Sequence, residues 1–145
     1  MPRSVLSLAY KDVPAPSSAA FPTSSVVYIP LLEVAFEYKG DRFPTLGLVD
    51  SGATYTYAPT EVADALGIDW KNCPDCPVHG VGGSGMGYAA DVSLIVLRAN
   101  HRWSAKVVFT PGMNRIGIVL LGQNGFFDHC EVSFRARVRE FRIAI

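Results

Sequence analysis

The sequence lacks the features that would place it in a membrane, in a disulfide framework or on a nucleic acid. Its apolar runs are short, as in the segment 118–121 (IVLL), and none approaches the roughly 20 residues of a membrane span. Cysteine occurs only 3 times, and an odd, small number does not build a disulfide scaffold. Lys+Arg and Asp+Glu are equal at 13 each, so the chain has no general positive charge to attract a nucleic acid. We therefore expect neither a membrane nor a nucleic-acid partner.

What the sequence does contain is enough apolar material for one folded domain. It has 145 residues, of which 49% are hydrophobic and 18% charged, a composition typical of a globular domain. Residues 1–25 are rich in proline, serine and alanine and are interpreted as an N-terminal strand and arm. Residues 26–145 are interpreted as the domain proper. The N-terminal apolar stretch is too short for a secretory signal, so we expect a cytoplasmic protein.

The hydrophobic pattern of the domain is that of β-strands. Apolar and polar residues alternate over 32–38, a glycine-containing turn follows at 39–42, and an apolar return strand covers 43–49. Such alternation predicts strands with one buried face. The same reasoning predicts strands at 88–97, 103–109, 116–121 and 131–145, one helix from Pro59 or Thr60 to Leu66, and a short helical turn at 124–129. The sequence thus predicts an all-β barrel or sandwich with one or two short helices.

The segment 48–54 (LVDSGAT) is the most informative part of the chain. It places Asp50 directly after a buried strand, where a carboxylate without partners is costly. Ser51 and Thr54 can supply hydroxyl groups, and Gly52 allows another backbone to come close. Asp-Ser-Gly is also ordinary turn chemistry, but a surface turn does not need the apolar residues on either side.

Three motifs together make the chain similar to a known family. They are the segment 48–53 (LVDSGA), the glycine-rich stretch 80–87 (GVGGSGMG), and 119–122 (VLLG) followed by 123–128 (QNGFFD). With these motifs in this order, the sequence resembles the retropepsin-like aspartic proteases over about residues 26–143, and especially their bacterial single-domain members. The resemblance implies a closed acid-protease barrel, a helix after the third motif and an active site at a homodimer interface.

The resemblance also implies roles for individual residues. Asp50 would be the catalytic residue, and Ser51 would anchor the catalytic loop across the dimer axis. The resemblance assigns support of that loop to Ser51, Gly52, Ala53 and Thr54. It assigns a flap that contacts substrate to Val81, Gly82, Gly83, Ser84 and Gly85. It assigns a structural segment to Leu120, Leu121 and Gly122.

The number of catalytic loops predicts the assembly. Hydrolysis by carboxylates uses a pair about 3 Å apart that shares one proton, because like charges so close cannot both ionise. No aspartate besides Asp50 is followed by Ser-Gly or Thr-Gly. The prediction is therefore a homodimeric aspartic endopeptidase that acts on an extended peptide or protein without a cofactor or metal. The terminal segments 3–10 and 141–145 are the expected interface. The alternative is a catalytically weak peptide-binding or dimerisation module of the same fold.

Two other motifs, a glycine pattern and a group of cysteines, are weaker indications of function. The glycines at 80, 82 and 85 fit a dinucleotide-binding fingerprint, which requires a strand before it and a helix after it. Because 73–77 (CPDCP) is poor strand material and 88–97 has a strand pattern, we reject nucleotide binding. Zinc ligation by Cys73, Cys76 and Cys130 with nearby histidines is a weaker interpretation than a loop with reduced thiols. A zinc- or redox-responsive regulator is the weakest hypothesis.

Overall fold

The alternating pattern becomes a sheet that closes on itself. The protein is described by a computed structural model that covers residues 3–23 and 25–145. The strands are β1 Val5–Ala9, β2 Lys11–Pro14, β3 Val26–Ile29, β4 Leu31–Tyr38, β5 Asp41–Val49, β6 Thr56–Pro59, β7 Asp75–Gly80, β8 Gly83–Val96, β9 His101–Thr110, β10 Ile118–Leu121, β11 Glu131–Arg135 and β12 Glu140–Ala144. The helix α1 spans Thr60–Ala65, and 3-10 turns occupy Trp70–Asn72, Leu97–Ala99, Pro111–Met113 and Ala136–Val138.

The main sheet is a barrel. Its strand order is β4-β5-β10-β6-β9-β8-β7, and β4 also pairs with β8. The ring is therefore closed by the β4–β8 pairing, which uses the end of β8, and β7 pairs with the beginning of β8. The interior is filled by fully buried side chains that include Phe36, Leu94, Phe109, Leu121 and Phe126. This architecture confirms the all-β, closed-barrel prediction.

Local turn chemistry explains why the first hairpin and the helix form where the sequence places them. Lys39 and Gly40 both have positive φ, 47° and 89°, which is the geometry of a two-residue hairpin loop. The helix α1 begins after Pro59, and Gly67 follows it with a φ of 72°, as expected for a residue that ends a helix. Both elements were predicted from the sequence and both are confirmed.

The N- and C-terminal segments form two smaller sheets. β1, β12 and β11 make a three-stranded sheet in the order β1-β12-β11, and β2 pairs with β3 in a two-stranded hairpin. The predicted N-terminal strand and the C-terminal hairpin are thus present. Among the described residues, no helix is long and apolar enough to cross a bilayer.

The predicted helical turn at 124–129, and the C-terminal helix that the resemblance implies, are wrong for this chain. The segment is a series of turns in which the Phe127 N–H donates to the Gly122 carbonyl at 3.1 Å. Gly125 has a φ of 97°, and the Asp128 carboxylate accepts from its N–H at 3.0 Å. A left-handed residue at this position stops a helix from propagating.

Several strand boundaries differ from the prediction, among them that of β8, which begins at Gly83 and not at 88. Local preference argues against a strand at 73–77, yet β7 begins at Asp75 and includes Pro77. β7 lies at the edge of the sheet, where a proline is tolerated because only one neighbour needs its N–H groups. The predicted buried run 116–121 is shorter, since Ile116 is 55% exposed. The positive φ values of Arg115 and Gly117, 68° and 81°, delay the strand until Ile118.

Candidate active site

The end of β5 is held in a central position by its pairing with β10. β10 runs parallel to β5, with Leu121 opposite Val49, and antiparallel to β6, with Leu120 opposite Tyr57. Because parallel strands end at the same edge of a sheet, Asp50 emerges beside the end of β10. Its N–H donates to the Leu121 carbonyl at 3.0 Å. This pairing fixes the backbone of Asp50 independently of any contact that its side chain makes.

Asp50 is half-buried, and one of its two carboxylate oxygens accepts a hydrogen bond. Its Oδ1 accepts a hydrogen bond from the Gly52 N–H at 2.9 Å. A Cβ at position 52 would lie 3.3 Å from the same oxygen, so glycine keeps this approach open. The Oδ2 atom receives no hydrogen bond from the residues that the structure describes. It is therefore the oxygen available to a water molecule or to a second carboxyl group.

Backbone contacts hold the loop that begins at Asp50. The Ser51 carbonyl accepts from Gln123 Nε2 at 2.7 Å, and the Ala53 carbonyl accepts from the Gln123 N–H at 2.8 Å. The Thr54 carbonyl accepts from the Asn124 N–H at 3.0 Å. Ser51 and Thr54 are exposed, whereas Ala53 is buried. Within one chain, the loop is thus fixed by its carbonyl groups rather than by its hydroxyls.

The residue that sequence reasoning missed is Thr56. Its side chain is fully buried, and its Oγ1 donates to the Asn124 carbonyl at 2.8 Å and accepts from the Gly122 N–H at 3.2 Å. It therefore joins the start of β6 to the segment that carries the third motif. A threonine two residues after the loop, at the start of a short apolar strand, was the only sign of this role in the sequence.

Removal of the Thr56 hydroxyl is expected to destabilise the fold. Thr56→Val keeps the shape of the side chain but leaves the Gly122 N–H and the Asn124 carbonyl without this partner. Such buried, unsatisfied groups cost about 1–3 kcal/mol, so the free energy of unfolding in urea should fall by that amount. Thr56→Ser, which retains the hydroxyl, should lose clearly less. Equal losses for the two variants would contradict a hydrogen-bonding role.

The third motif brings two main-chain segments into direct contact. Leu121 is fully buried and Leu120 half-buried. A Cβ at Gly122 would lie 2.0 Å from the Tyr55 carbonyl oxygen and 2.7 Å from that of Ala53. Only glycine fits here without a shift of the backbone. The 120–122 segment is thus packed against the loop that follows Asp50.

The glycine-rich stretch forms the end of the β7–β8 hairpin. Gly80 pairs with Gly83, so Val81 and Gly82 form its tip. Val81, Gly82, Gly83, Ser84 and Gly85 are all exposed. A cleft of about 400 Å³ lies against this hairpin, with Val78, Thr110 and Met113 among its lining residues. Asp50 is not among the residues that line it.

The remaining sequence motifs do not gather into a second site. The three thiols donate to different carbonyl oxygens, Cys73 to Asp69, Cys76 to Pro77 and Cys130 to Phe126. Burial, with a smaller contribution from the charge of Asp128, raises the pKa of Cys130 to about 12. No three metal-ligating side chains cluster within the described ranges. The glycine fingerprint has a strand after it instead of a helix, although the segment before it is, unexpectedly, also a strand.

Comparison with known proteins identifies a matching family, and solved structures that are similar. A family model described as aspartyl protease matches residues 34–124, which include Asp50, the glycine-rich hairpin and 119–122. The solution structure of the simian foamy virus (mac) protease is similar at 20% identity and a TM-score of 0.42, and the match covers 64% of this chain and 87% of that one. No curated protein matches the chain.

Proposed function

The chain belongs to the aspartyl protease family, and from this premise we propose that it is an aspartic endopeptidase whose active unit is a homodimer. Each subunit would contribute one Asp50. The observation that carries the proposal is the Asp50 carboxylate itself, which is fixed at the end of β5 with only one oxygen engaged. The chain holds one such loop, and the chemistry needs two acids.

In the proposed reaction, the two Asp50 carboxyl groups share one proton and hold a water molecule between them. The ionised group takes a proton from the water as the oxygen of the water attacks the peptide carbonyl carbon. The protonated group gives its proton to the carbonyl oxygen, so that a tetrahedral diol forms. The first group then passes the proton that it took from water to the peptide nitrogen, a hydroxyl of the diol returns a proton to the second group, and the C–N bond breaks to release a carboxylic acid and an amine. The two groups titrate as a pair, so the pH dependence of the rate reports two values that belong to the dimer.

The β7–β8 hairpin is suited to act as the flap. Its tip is exposed, and its glycines leave backbone N–H and C=O groups accessible to an extended peptide. Backbone pairing would supply affinity, while the apolar side chains Val78 and Met113 of the adjoining cleft would contact substrate side chains. Closure of the hairpin would exclude water other than the attacking molecule.

The dimeric site has a direct test by subunit mixing. If each site needs Asp50 from both chains, a fourfold excess of Asp50→Asn should lower the cleavage rate per wild-type chain to about one fifth, because random exchange leaves few wild-type pairs. The measurement is cleavage of a mixed peptide library after the two proteins have equilibrated. The same excess of Asp91→Asn, a change at an exposed carboxylate, should leave the rate per total chain at the wild-type value, because that variant keeps Asp50.

The mixing experiment also separates the protease from the binding-module alternative. A rate per wild-type chain that is unaffected by Asp50→Asn would contradict the shared site. If the wild type and Asp50→Asn bind peptides equally and neither cleaves any, the chain is a peptide-binding module with the same fold.

A further inference from the structure

A cavity of about 500 Å³ lies on a part of the barrel that the proposed reaction does not use. Its walls come mainly from the middle of β5, the start of β10 and the region where β6 passes into α1. Asp50, the β7–β8 hairpin and the 120–122 segment are not among the residues that line it. Its volume falls within the range of about 300–1,000 Å³ that small-molecule sites occupy.

The cavity exists because β5 is longer than its neighbour β10. β4 pairs with β5 from Asp41 to Leu48, whereas β10 joins β5 only at Leu46, which lies opposite Ile118. In the described part of the chain, no strand pairs with β5 before Leu46 on this side. Gly117 has a φ of 81°, which is not an extended conformation, so β10 does not continue along β5. Because α1 packs nearby against β5, a gap remains between that strand and the helix.

The edge of β5 that faces the gap offers a hydrogen-bond acceptor without a donor. The Val49 N–H donates to Pro30 on the β4 side, and the next N–H, that of Asp50, donates to Leu121 of β10. Successive residues of a strand direct their N–H and C=O groups to opposite edges, so even-numbered residues of β5 face β10 and the gap. Pro44 is such a residue and lines the cavity ahead of β10. It has a carbonyl oxygen but no N–H, and a proline disfavours pairing of another strand with this edge.

The charged side chains around the cavity are carboxylates. Glu33 of β4 and Glu61 of α1 line it, and no described lysine, arginine or histidine does. Both glutamates are exposed, so they stand at its mouth. Glu61 Oε2 accepts the Arg115 N–H at 3.2 Å, while Oε1 accepts no hydrogen bond from the described residues. Glu33 lies 3.8 Å from Lys11 Nζ, an exposed ion pair of the kind that contributes little. Negative charge is therefore available to a ligand.

We propose that this cavity binds a small apolar cation, a molecule with an aliphatic or aromatic body and one protonated amine. The body packs against the apolar side chains of Leu46, Val62 and Ile118, which line the cavity. The ammonium group, which has three donors and no acceptor, donates to the Glu61 carboxylate and to the Pro44 carbonyl. An anion of the same size finds neither a donor nor a positive charge there. This inference goes beyond the proposed protease function and does not depend on it.

Three probes with the same body test the preference for positive charge. They are phenylbutylamine, phenylbutanol and phenylbutyrate, each titrated by calorimetry into the full chain near neutral pH. The amine should bind about tenfold more tightly than the alcohol, since hydrogen bonds to ionised groups are stronger than those between neutral groups. Phenylbutyrate should bind more weakly than either. In amide NMR spectra, the shifts caused by the amine should centre on Leu46, Val62 and Ile118. Absence of amine binding, equal affinities, or shifts centred elsewhere would overturn the proposal.

A variant at the mouth of the cavity supplies the second readout. Glu61→Gln keeps an oxygen for the Arg115 N–H but loses the charge. It should bind the amine about tenfold more weakly and the alcohol with unchanged affinity. Glu140→Gln is the matched control, because Glu140 is an exposed glutamate that pairs with Arg135 at 3.4 Å and does not line the cavity. If both variants lower the affinity for the amine equally, the attraction comes from overall charge and the proposal is wrong.

The binding test is separable from the test of the protease function. Asp50→Asn should bind the amine as tightly as wild type, because Asp50 does not line the cavity. A chain that cleaves peptides but binds no amine overturns this inference alone. A chain that binds the amine but cleaves no peptide overturns the proposed function alone.

Discussion

Asp50→Asn is expected to lower kcat/KM for peptide cleavage by at least about 10³-fold, because asparagine cannot donate or accept the shared proton. The substitution changes little else. The asparagine side-chain oxygen can still accept the hydrogen bond from the Gly52 N–H, which lies 2.9 Å from Oδ1 in the native loop. We therefore expect the variant to fold, and its free energy of unfolding to remain within about 1 kcal/mol of wild type, the usual worth of one hydrogen bond.

The control for this loss is a carboxylate elsewhere on the surface. Asp91 is exposed, and its ion pair with Lys106 spans 4.0 Å, so Asp91→Asn should retain wild-type activity and stability. Peptide cleavage by purified Asp50→Asn at a rate near that of wild type would rule out Asp50 as the catalytic group. Circular dichroism would show whether Asp50→Asn loses cleavage because it no longer folds. In that case Asp50→Glu, which keeps a carboxyl group but displaces it, would test whether cleavage depends on the position of that group.

The parts of the fold that could be predicted are those that depend on neighbouring residues. The alternation of 32–38 defines a strand whatever it packs against. Lys39-Gly40 supplies the positive φ values that a two-residue hairpin requires, and Gly67 supplies the one that ends α1. Asp50 could be singled out because an acid after an apolar strand conflicts with local preference, and such conflicts concentrate at functional sites.

The parts that could not be predicted depend on residues far apart in sequence. Thr56 contacts Asn124 across 68 positions, and its place at the start of a short apolar strand does not indicate which distant group its hydroxyl will bind. Pro77 argues against a strand by local preference, yet β7 needs hydrogen bonds on one side only. The turns at 124–129 likewise follow from contacts with Gly122 and Gln123, which override the weak helical tendency of the segment. The pairing of β12 on both sides is a property of the assembled sheet.

Gly122→Ala is the substitution with the largest expected effect on stability. The added methyl carbon would lie 2.0 Å from the Tyr55 oxygen and 2.6 Å from the Tyr55 carbonyl carbon, so main chain rather than a side chain must move. That movement would break the bonds that the Gln123 and Asn124 N–H groups make to the loop after Asp50. We expect a loss of about 3 kcal/mol or more in the free energy of unfolding, measured in urea. Gly112→Ala is the control, since its Cβ would meet Thr110 Oγ1 at an ordinary 3.7 Å.

The effect of Gly122→Ala should not add to that of Thr56→Val. The Gly122 N–H donates to Thr56 Oγ1 at 3.2 Å, so displacement of residue 122 already removes part of what the hydroxyl supplies. In a double-mutant cycle, the second substitution should therefore cost less than it does alone, with a coupling of about 0.5 kcal/mol or more. Strict additivity would mean that the two residues stabilise separate parts of the barrel. Coupling would mean that the buried hydroxyl and the glycine act as one support for the loop that carries Asp50.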